Sequence, residues 1–183
     1  AKTERLFKVP GAGLDPLNAL KALPGVTTAS DYSSAPAVRG SAPDDNAYYI
    51  DFIPARYLFH DFGNSIFNEN LIRSFDLYPA AFGSQYNNAT GAVIDVKLRD
   101  PRNQSLTTTL DWSFLRTGVL FEGAINKNQA FYASYRRSLI DKFADKTTVL
   151  GKNSGIEVDK LPIADDYQFK YLCSEMGTCA KKT

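Results

Sequence analysis

The stretch 106–125, LTTTLDWSFLRTGVLFEGAI, decides the fold. In its first nine residues Leu106, Leu110, Trp112 and Phe114 hold even positions, and Thr107, Thr109, Asp111 and Ser113 hold odd ones. From Val119 the alternation resumes, with Phe121, Gly123 and Ile125 on one side and Leu120, Glu122 and Ala124 on the other. A period of two is that of a β-strand, whose side chains point alternately to opposite faces. Asn126-Lys127-Asn128-Gln129 supplies a tight polar turn, after which Phe131, Ala133 and Tyr135 alternate with Tyr132, Ser134 and Arg136. A long polar stretch at 144–159 precedes Tyr167-Gln168-Phe169-Lys170-Tyr171, which alternates again. Two architectures meet this pattern. One is an antiparallel sheet with a single buried apolar face. The other is an arc of an outer-membrane barrel, with alternating short and long connections and aromatics near strand ends.

Upstream of Pro101 the grammar is different. Asp15-Pro16 reads as a helix N-cap with proline in the first turn, and Leu17, Leu20 and Leu23 give that helix one apolar face. Pro24-Gly25 ends it. Strands are predicted at Ala47–Ile53, Ser74–Tyr78 and Gly91–Leu98, with a short helix at Ser65–Ile72 presenting Phe67 and Leu71 on one side. The order helix, strand, helix, strand, strand reads as a small α+β domain.

Composition narrows the function. The 183 residues carry 21 basic and 20 acidic side chains, a formal charge of +1, which argues against a nucleic-acid partner. With 44% hydrophobic and 22% charged residues, bulk disorder is excluded. No apolar run approaches the ~18 residues of a spanning helix, a test that barrel strands escape. There is no G-x-S-x-G, Walker loop or complete G-x-G-x-x-G, and the adjacent His60-Asp61 does not make a catalytic dyad. No enzyme is expected. Asp44-Asp45-Asn46 reads as turn chemistry in place of a calcium loop. Two cysteines and one histidine cannot complete a four-ligand zinc shell without a carboxylate, so neither metal nor cofactor is expected. Cys173 and Cys179 bracket SEMGT, a spacing that suits a hairpin disulfide worth ~2 kcal/mol in an oxidising compartment. Two unpaired thiols fit the same spacing.

Several segments, taken in order, resemble the plug domain of TonB-dependent outer-membrane receptors. Leu17–Val26 (LNALKALPGV) is similar to a helix ending in L-P-G-V, and Val38-Arg39-Gly40 matches an R-G step. Asn46–Pro54 (NAYYIDFIP) resembles a strand ending in I-D-G-I-P, with Phe52 in the place of glycine. Asn68–Tyr86, with LIRSFDLYPAAFGSQY, is similar to the helix, strand and Y-P-G-G-F turn, with Ala80-Ala81 replacing the glycine pair. Thr90–Arg99 (TGAVIDVKLR) resembles the plug's closing strand, and Gly118–Asp141 resembles early barrel strands. The energy-coupling box of the family is not identifiable.

The resemblance implies an α+β plug with a small mixed sheet and short helices at 1–102, and the first antiparallel strands of a transmembrane β-barrel at 103–183. It implies energy-coupled uptake of a scarce extracellular nutrient such as an iron-siderophore. The partners it implies are TonB, the remaining barrel strands, an extracellular small-molecule ligand and outer-membrane lipid. Four strands would leave two open edges unpaired in lipid, so a fragment of a longer receptor, or a separate barrel chain, is expected. Arg39, Arg73 and Arg99 are candidates for plug–barrel contacts, with Glu122 on the lumen side as a partner for Arg39. Ligand contacts are assigned to Arg56, Tyr57, Phe59 and His60, and secondarily to Asn87-Asn88-Ala89. Two other readings stay open: a non-transporting surface receptor with the same plug, and a soluble periplasmic α+β enzyme.

Overall fold

A computed structural model of the chain describes residues 15–28, 35–60, 65–86, 89–114, 116–143 and 163–174. The chain divides into two compact units, Ala1–Arg99 and Asp100–Thr183.

Unit 1 opens on a helix that is 3-10 in place of α, Pro16–Ala22. Its leucines are spaced by three, the repeat of a 3-10 turn, which stacks positions i and i+3 on one side. Asp15 caps it by accepting from the Leu17 amide at 3.0 Å, and its second oxygen accepts from the Ser65 amide. Leu17 and Leu20 are buried, each worth ~1.5–3 kcal/mol of transfer free energy. Leu23 ends the helix and stays exposed, so the expected three-leucine face has two members. Strands β1 (Val26–Thr28) and β2 (Pro36–Val38) pair antiparallel.

The main sheet of unit 1 has four strands: β3 (Ala47–Ile50), β4 (Ile53–Ala55), β5 (Ile72–Tyr78) and β6 (Val93–Leu98), in the order β4-β3-β6-β5. Strand β6 runs parallel to β3 and antiparallel to β5. The single strand expected over Ala47–Ile53 is a hairpin, because Asp51 and Phe52 both take positive φ (50° and 66°) and reverse the chain in two residues. That is the conformation favoured by the right-handed twist of the flanking strands. Pro54 sits on the edge strand β4, where its missing N–H costs least. The helix expected over Ser65–Ile72 is limited to a 3-10 turn, Glu69–Leu71, because Ser65 bridges to Phe59 instead. Phe67 and Leu71 are nevertheless both buried. One face of the sheet, with Tyr48, Ile94, Val96 and Phe75, packs on Leu17, Leu20, Leu58 and Phe67. The other carries Tyr49, Val93 and Tyr86.

Unit 2 is an antiparallel meander of β7 (Thr107–Trp112), β8 (Arg116–Asn126), β9 (Gln129–Ser138) and β10 (Asp165–Cys173), in the order β10-β9-β8-β7. A short helix, α1 (Ile140–Phe143), follows β9. Among the described residues it is the only α-helix, so the structure is sheet-rich, with 3-10 turns where α-helices were expected in unit 1. The two faces of the unit 2 sheet differ. On one, Arg116, Glu122, Tyr132, Ser134 and Arg136 are buried, Glu122 at 3% and Arg136 at 4% exposure. On the other, Leu110, Trp112, Phe121, Tyr167 and Phe169 are open, Trp112 at 83% and Phe169 at 70%. A domain that folds by burying apolar surface in its own core has the opposite arrangement.

Candidate functional site

The loop after β4 carries the four residues assigned to ligand contact, and the structure separates them. Arg56 and Tyr57 stand in solvent, Tyr57 at 53% exposure, and His60 is half-buried with its ring centroid 6.1 Å from that of Tyr57. Phe59 turns the other way. It is 9% exposed and packs edge-on against Tyr48 at 6.4 Å inside the main core. Its neighbour Leu58 is fully buried, and the Phe59–Ser65 bridge holds both in place. Phe59 is therefore a core residue, and Arg56, Tyr57 and His60 remain as the accessible set: a guanidinium, a phenol and an imidazole. Asn87 and Asn88 lie outside the described residues.

Arg39 sits at φ 52° and Gly40 at φ 83° in a tight turn closed by the Ser41 amide on the Val38 carbonyl at 3.0 Å. Its amide donates to the Gly25 carbonyl at 2.7 Å, and its Cγ lies 3.5 Å from where a Cβ on Gly25 would stand. The side chain is thus aimed by the backbone of β1 and β2. Arg73 is exposed at the β5 irregularity between Ile72 and Ser74. Arg99 is occupied locally, its Nε donating to the Asn70 carbonyl at 2.6 Å. Glu122 is held within unit 2: its Oε1 accepts from the Arg102 amide at 2.8 Å, and the Arg102 guanidinium stands 3.9 Å from Oε2. Cys173 is disulfide-bonded, and Cys179, the second of two cysteines, lies outside the described residues.

The residues read as turn chemistry are engaged as such. Asp45 accepts from the Ala42 amide at 3.0 Å, and Asn46 bridges the Pro36 carbonyl and the Ala92 amide at 2.8 and 3.0 Å. Among the described residues no group of three acidic, His or Cys side chains could hold a metal.

A second cluster was not foreseen. Asp95 lies on the central strand β6 at 0% exposure, its Oδ2 accepting from the Tyr86 hydroxyl at 3.2 Å. The Tyr86 ring meets Tyr49 at 4.9 Å, Tyr78 at 5.4 Å and Phe52 at 6.1 Å. Its phenol is pushed well above the ordinary tyrosine value, first by burial and then by Tyr78 and the Asp95 carboxylate. Lys97 sits 5.4 Å over the Phe52 ring and pairs with Asp76 at 2.8 Å, a hydrogen bond that holds its ammonium above the usual lysine value. A single aspartate inside the apolar run AVIDV was the available signal.

No family model matches the chain, and no curated protein matches it. Among solved structures it is similar to the ferric-catecholate import receptor Fiu of E. coli K12, with 20% identity and a TM-score of 0.49 over 74% of this chain and 20% of that one. It is also similar to the siderophore receptor PirA of Acinetobacter baumannii, at 19% identity and TM-score 0.47, covering 75% and 24% of the two chains. The pyoverdine outer membrane receptor FpvA of Pseudomonas aeruginosa PAO1 follows at 16% and 0.46, covering 67% and 19%. The chain thus spans a quarter or less of these proteins, and at such scores no residue role is carried across.

Proposed function

We propose that the chain is part of a TonB-dependent outer-membrane receptor, with unit 1 as the plug and unit 2 as the opening strands of the barrel wall. The observation that carries the reading is the polarity of unit 2: a buried face that holds Arg116, Glu122 and Arg136 beside Leu120 and Tyr132, and an apolar, aromatic face that is open. Lipid is the solvent that makes this arrangement favourable, since each open ring gains by contact with acyl chains while the ionic side chains stay out of them. Strands β8, β9 and β10 have 11, 10 and 9 residues, the length a tilted strand needs to cross a bilayer. The connections from β7 to β8 and from β8 to β9 are three and two residues, and that from β9 to β10 is long. Strands β7 and β10 each have a free edge among the described residues, which further strands would complete.

The proposed function is energy-coupled uptake of an extracellular ligand, iron-siderophore or another scarce nutrient, driven from the periplasm by TonB. Arg56, Tyr57 and His60 are the proposed ligand contacts; aromatic and Arg side chains combine contact area with hydrogen bonding. Arg39 and Glu122 are the proposed plug–wall link, with Arg73 and Arg99 as further plug-side cations. The test is fractionation followed by transport. The chain is expected in the membrane pellet, released only by detergent, and uptake in cells is expected to stop when TonB is removed. Recovery in the soluble fraction, or uptake that continues without TonB, would defeat the proposal.

A further inference from the structure

One row across the open face of unit 2 breaks its apolar pattern. Strand register sets Trp112, Thr117, Arg137 and Asp165 side by side across β7, β8, β9 and β10. The adjoining row is Leu110, Val119, Tyr135 and Tyr167. The Tyr135 and Tyr167 rings lie 4.9 Å apart, and the Tyr135 hydroxyl donates to Asp165 Oδ1 at 2.7 Å. The Arg137 guanidinium is 3.8 Å from that same oxygen, and the two side chains are 40% and 37% exposed. This ion pair is loose: it lies beyond hydrogen-bond length, and both partners are wet. Asp165 has Tyr135 as a donor of its own, so Arg137 can turn to another anion without stranding a buried charge. A guanidinium offers five donors in a planar fork that matches phosphate oxygens.

We propose that this row seats at the headgroup level of the membrane and that Arg137 takes a lipid phosphate. The inference rests on reading unit 2 as barrel wall, and adds which row of the wall lies at one headgroup level and which residue holds a phosphate there. Trp and Tyr rings are amphipathic and collect where acyl chains give way to headgroups. Below the row the surface is continuous and apolar through Leu110, Val119, Phe121 and Phe169, so a ligand carrying chains beneath its phosphate fits where a free phosphate gains nothing.

Trp112 is the sole tryptophan of the chain and stands in the row itself, which makes it the reporter. The complete receptor, with every tryptophan other than Trp112 replaced by phenylalanine, is reconstituted into phosphatidylcholine vesicles carrying a nitroxide either near the headgroup or near the chain terminus. The shallow label is expected to quench Trp112 more than the deep one. At equal mole fraction, shallow-labelled phosphatidylglycerol is expected to quench more than shallow-labelled phosphatidylcholine, an enrichment of roughly two- to five-fold, the scale of one basic residue at an anionic surface. Arg137→Gln is expected to abolish that preference, and inorganic phosphate at matched ionic strength to leave it intact. Equal quenching by the two lipids, a preference unchanged in Arg137→Gln, or competition by inorganic phosphate overturns the phosphate site and leaves the barrel reading standing. Stronger quenching by the deep label overturns the seating of the row. Quenching by no lipid label overturns both.

Discussion

The Tyr86 hydroxyl donates to the Asp95 carboxylate at 3.2 Å, and the two residues are 5% and 0% exposed. Tyr86 thereby pins the segment after β5 to the central strand of unit 1, with three aromatic rings closing around the phenol. The folded site holds the neutral phenol, because its value is raised by burial and by the neighbouring carboxylate. Stability from this group is complete below the unfolded value of about 10 and is lost as pH rises from there toward the folded value. Tyr86→Phe is expected to cost about 1–3 kcal/mol at neutral pH, since Asp95 loses a donor. The variant is also expected to lose less stability than the wild type above pH 10. Denaturant titrations across pH 7–11 check this, and parallel declines in the two proteins would remove Tyr86 as the alkaline-sensitive group.

Phe52 holds φ 66° at 57% exposure, so the turn and not the core decides what the position tolerates. A bulky residue there carries strain of about 1–2 kcal/mol. The stack on Tyr86 and the Lys97 contact offset part of it. Phe52→Asn keeps a residue that accepts left-handed backbone, whereas Phe52→Val adds β-branching. Asn is expected to be the more stable variant by about 1 kcal/mol, although Val retains more apolar surface. The opposite ranking in thermal unfolding would mean that packing, not backbone, governs the turn.

How far the fold was legible follows from which signals are local. The period of two in 106–136 located β7, β8 and β9, because alternation is a property of each strand by itself. Which face would be buried was not legible, since that depends on what surrounds the sheet. The Asp51-Phe52 reversal was hidden because phenylalanine is not a turn residue; only the resemblance to I-D-G-I-P marked the position. Leu17 and Leu20 fit α and 3-10 spacing alike, so the helix was found and its type was not. In the candidate loop, Tyr57 and Phe59 are indistinguishable by type. The bridge from Phe59 to Ser65 separates them, and that contact forms only in the folded chain.

Two ion pairs of similar length are expected to differ widely in worth. Arg136 and Asp166 meet at 3.2 Å with side chains only 5% and 9% exposed, whereas Lys97 and Asp76 meet at 2.8 Å at 35% and 38%. Removing one member of a buried pair leaves a desolvated charge short of its partner, a loss of about 3–5 kcal/mol. An exposed pair contributes about 0–1 kcal/mol. Asp166→Ala is therefore expected to lower the unfolding temperature in detergent far more than Asp76→Ala. Equal shifts would show that the polar face of unit 2 is hydrated.

Gly91 is required by space, not by backbone angle. A Cβ there would lie 2.8 Å from the Ser41 hydroxyl oxygen and 2.9 Å from Asn46 Oδ1, the atom that accepts the Ala92 amide. Gly91→Ala is expected to cost about 1–3 kcal/mol by displacing that bridge. Combined with Ser41→Gly, which clears one of these contacts, the cost is expected to be less than additive by about 0.5 kcal/mol or more. Strict additivity in a double-mutant cycle would mean that the strain falls on Asn46 and Asp45, whose Cβ would stand 3.1 Å away, and not on Ser41.

The proposed ligand loop makes a prediction in which neighbours behave oppositely. Tyr57 and His60 touch each other at the surface, while Phe59 packs on Tyr48 in the core. Tyr57 is 53% exposed and stands outside the core cluster, so Tyr57→Ala is expected to unfold within about 0.5 kcal/mol of wild type. If the loop meets the ligand, the double alanine variant of Tyr57 and His60 is expected to bind at least ten-fold more weakly, a loss of about 1.4 kcal/mol. Phe59→Ala is expected to cost about 3–5 kcal/mol of stability, with any loss of binding following from unfolding. Affinity for a panel of ferric siderophores, measured beside unfolding on the same preparations, separates the two effects. Unchanged affinity in the Tyr57–His60 double variant would place the ligand elsewhere, and a stable Phe59→Ala protein would remove Phe59 from the core.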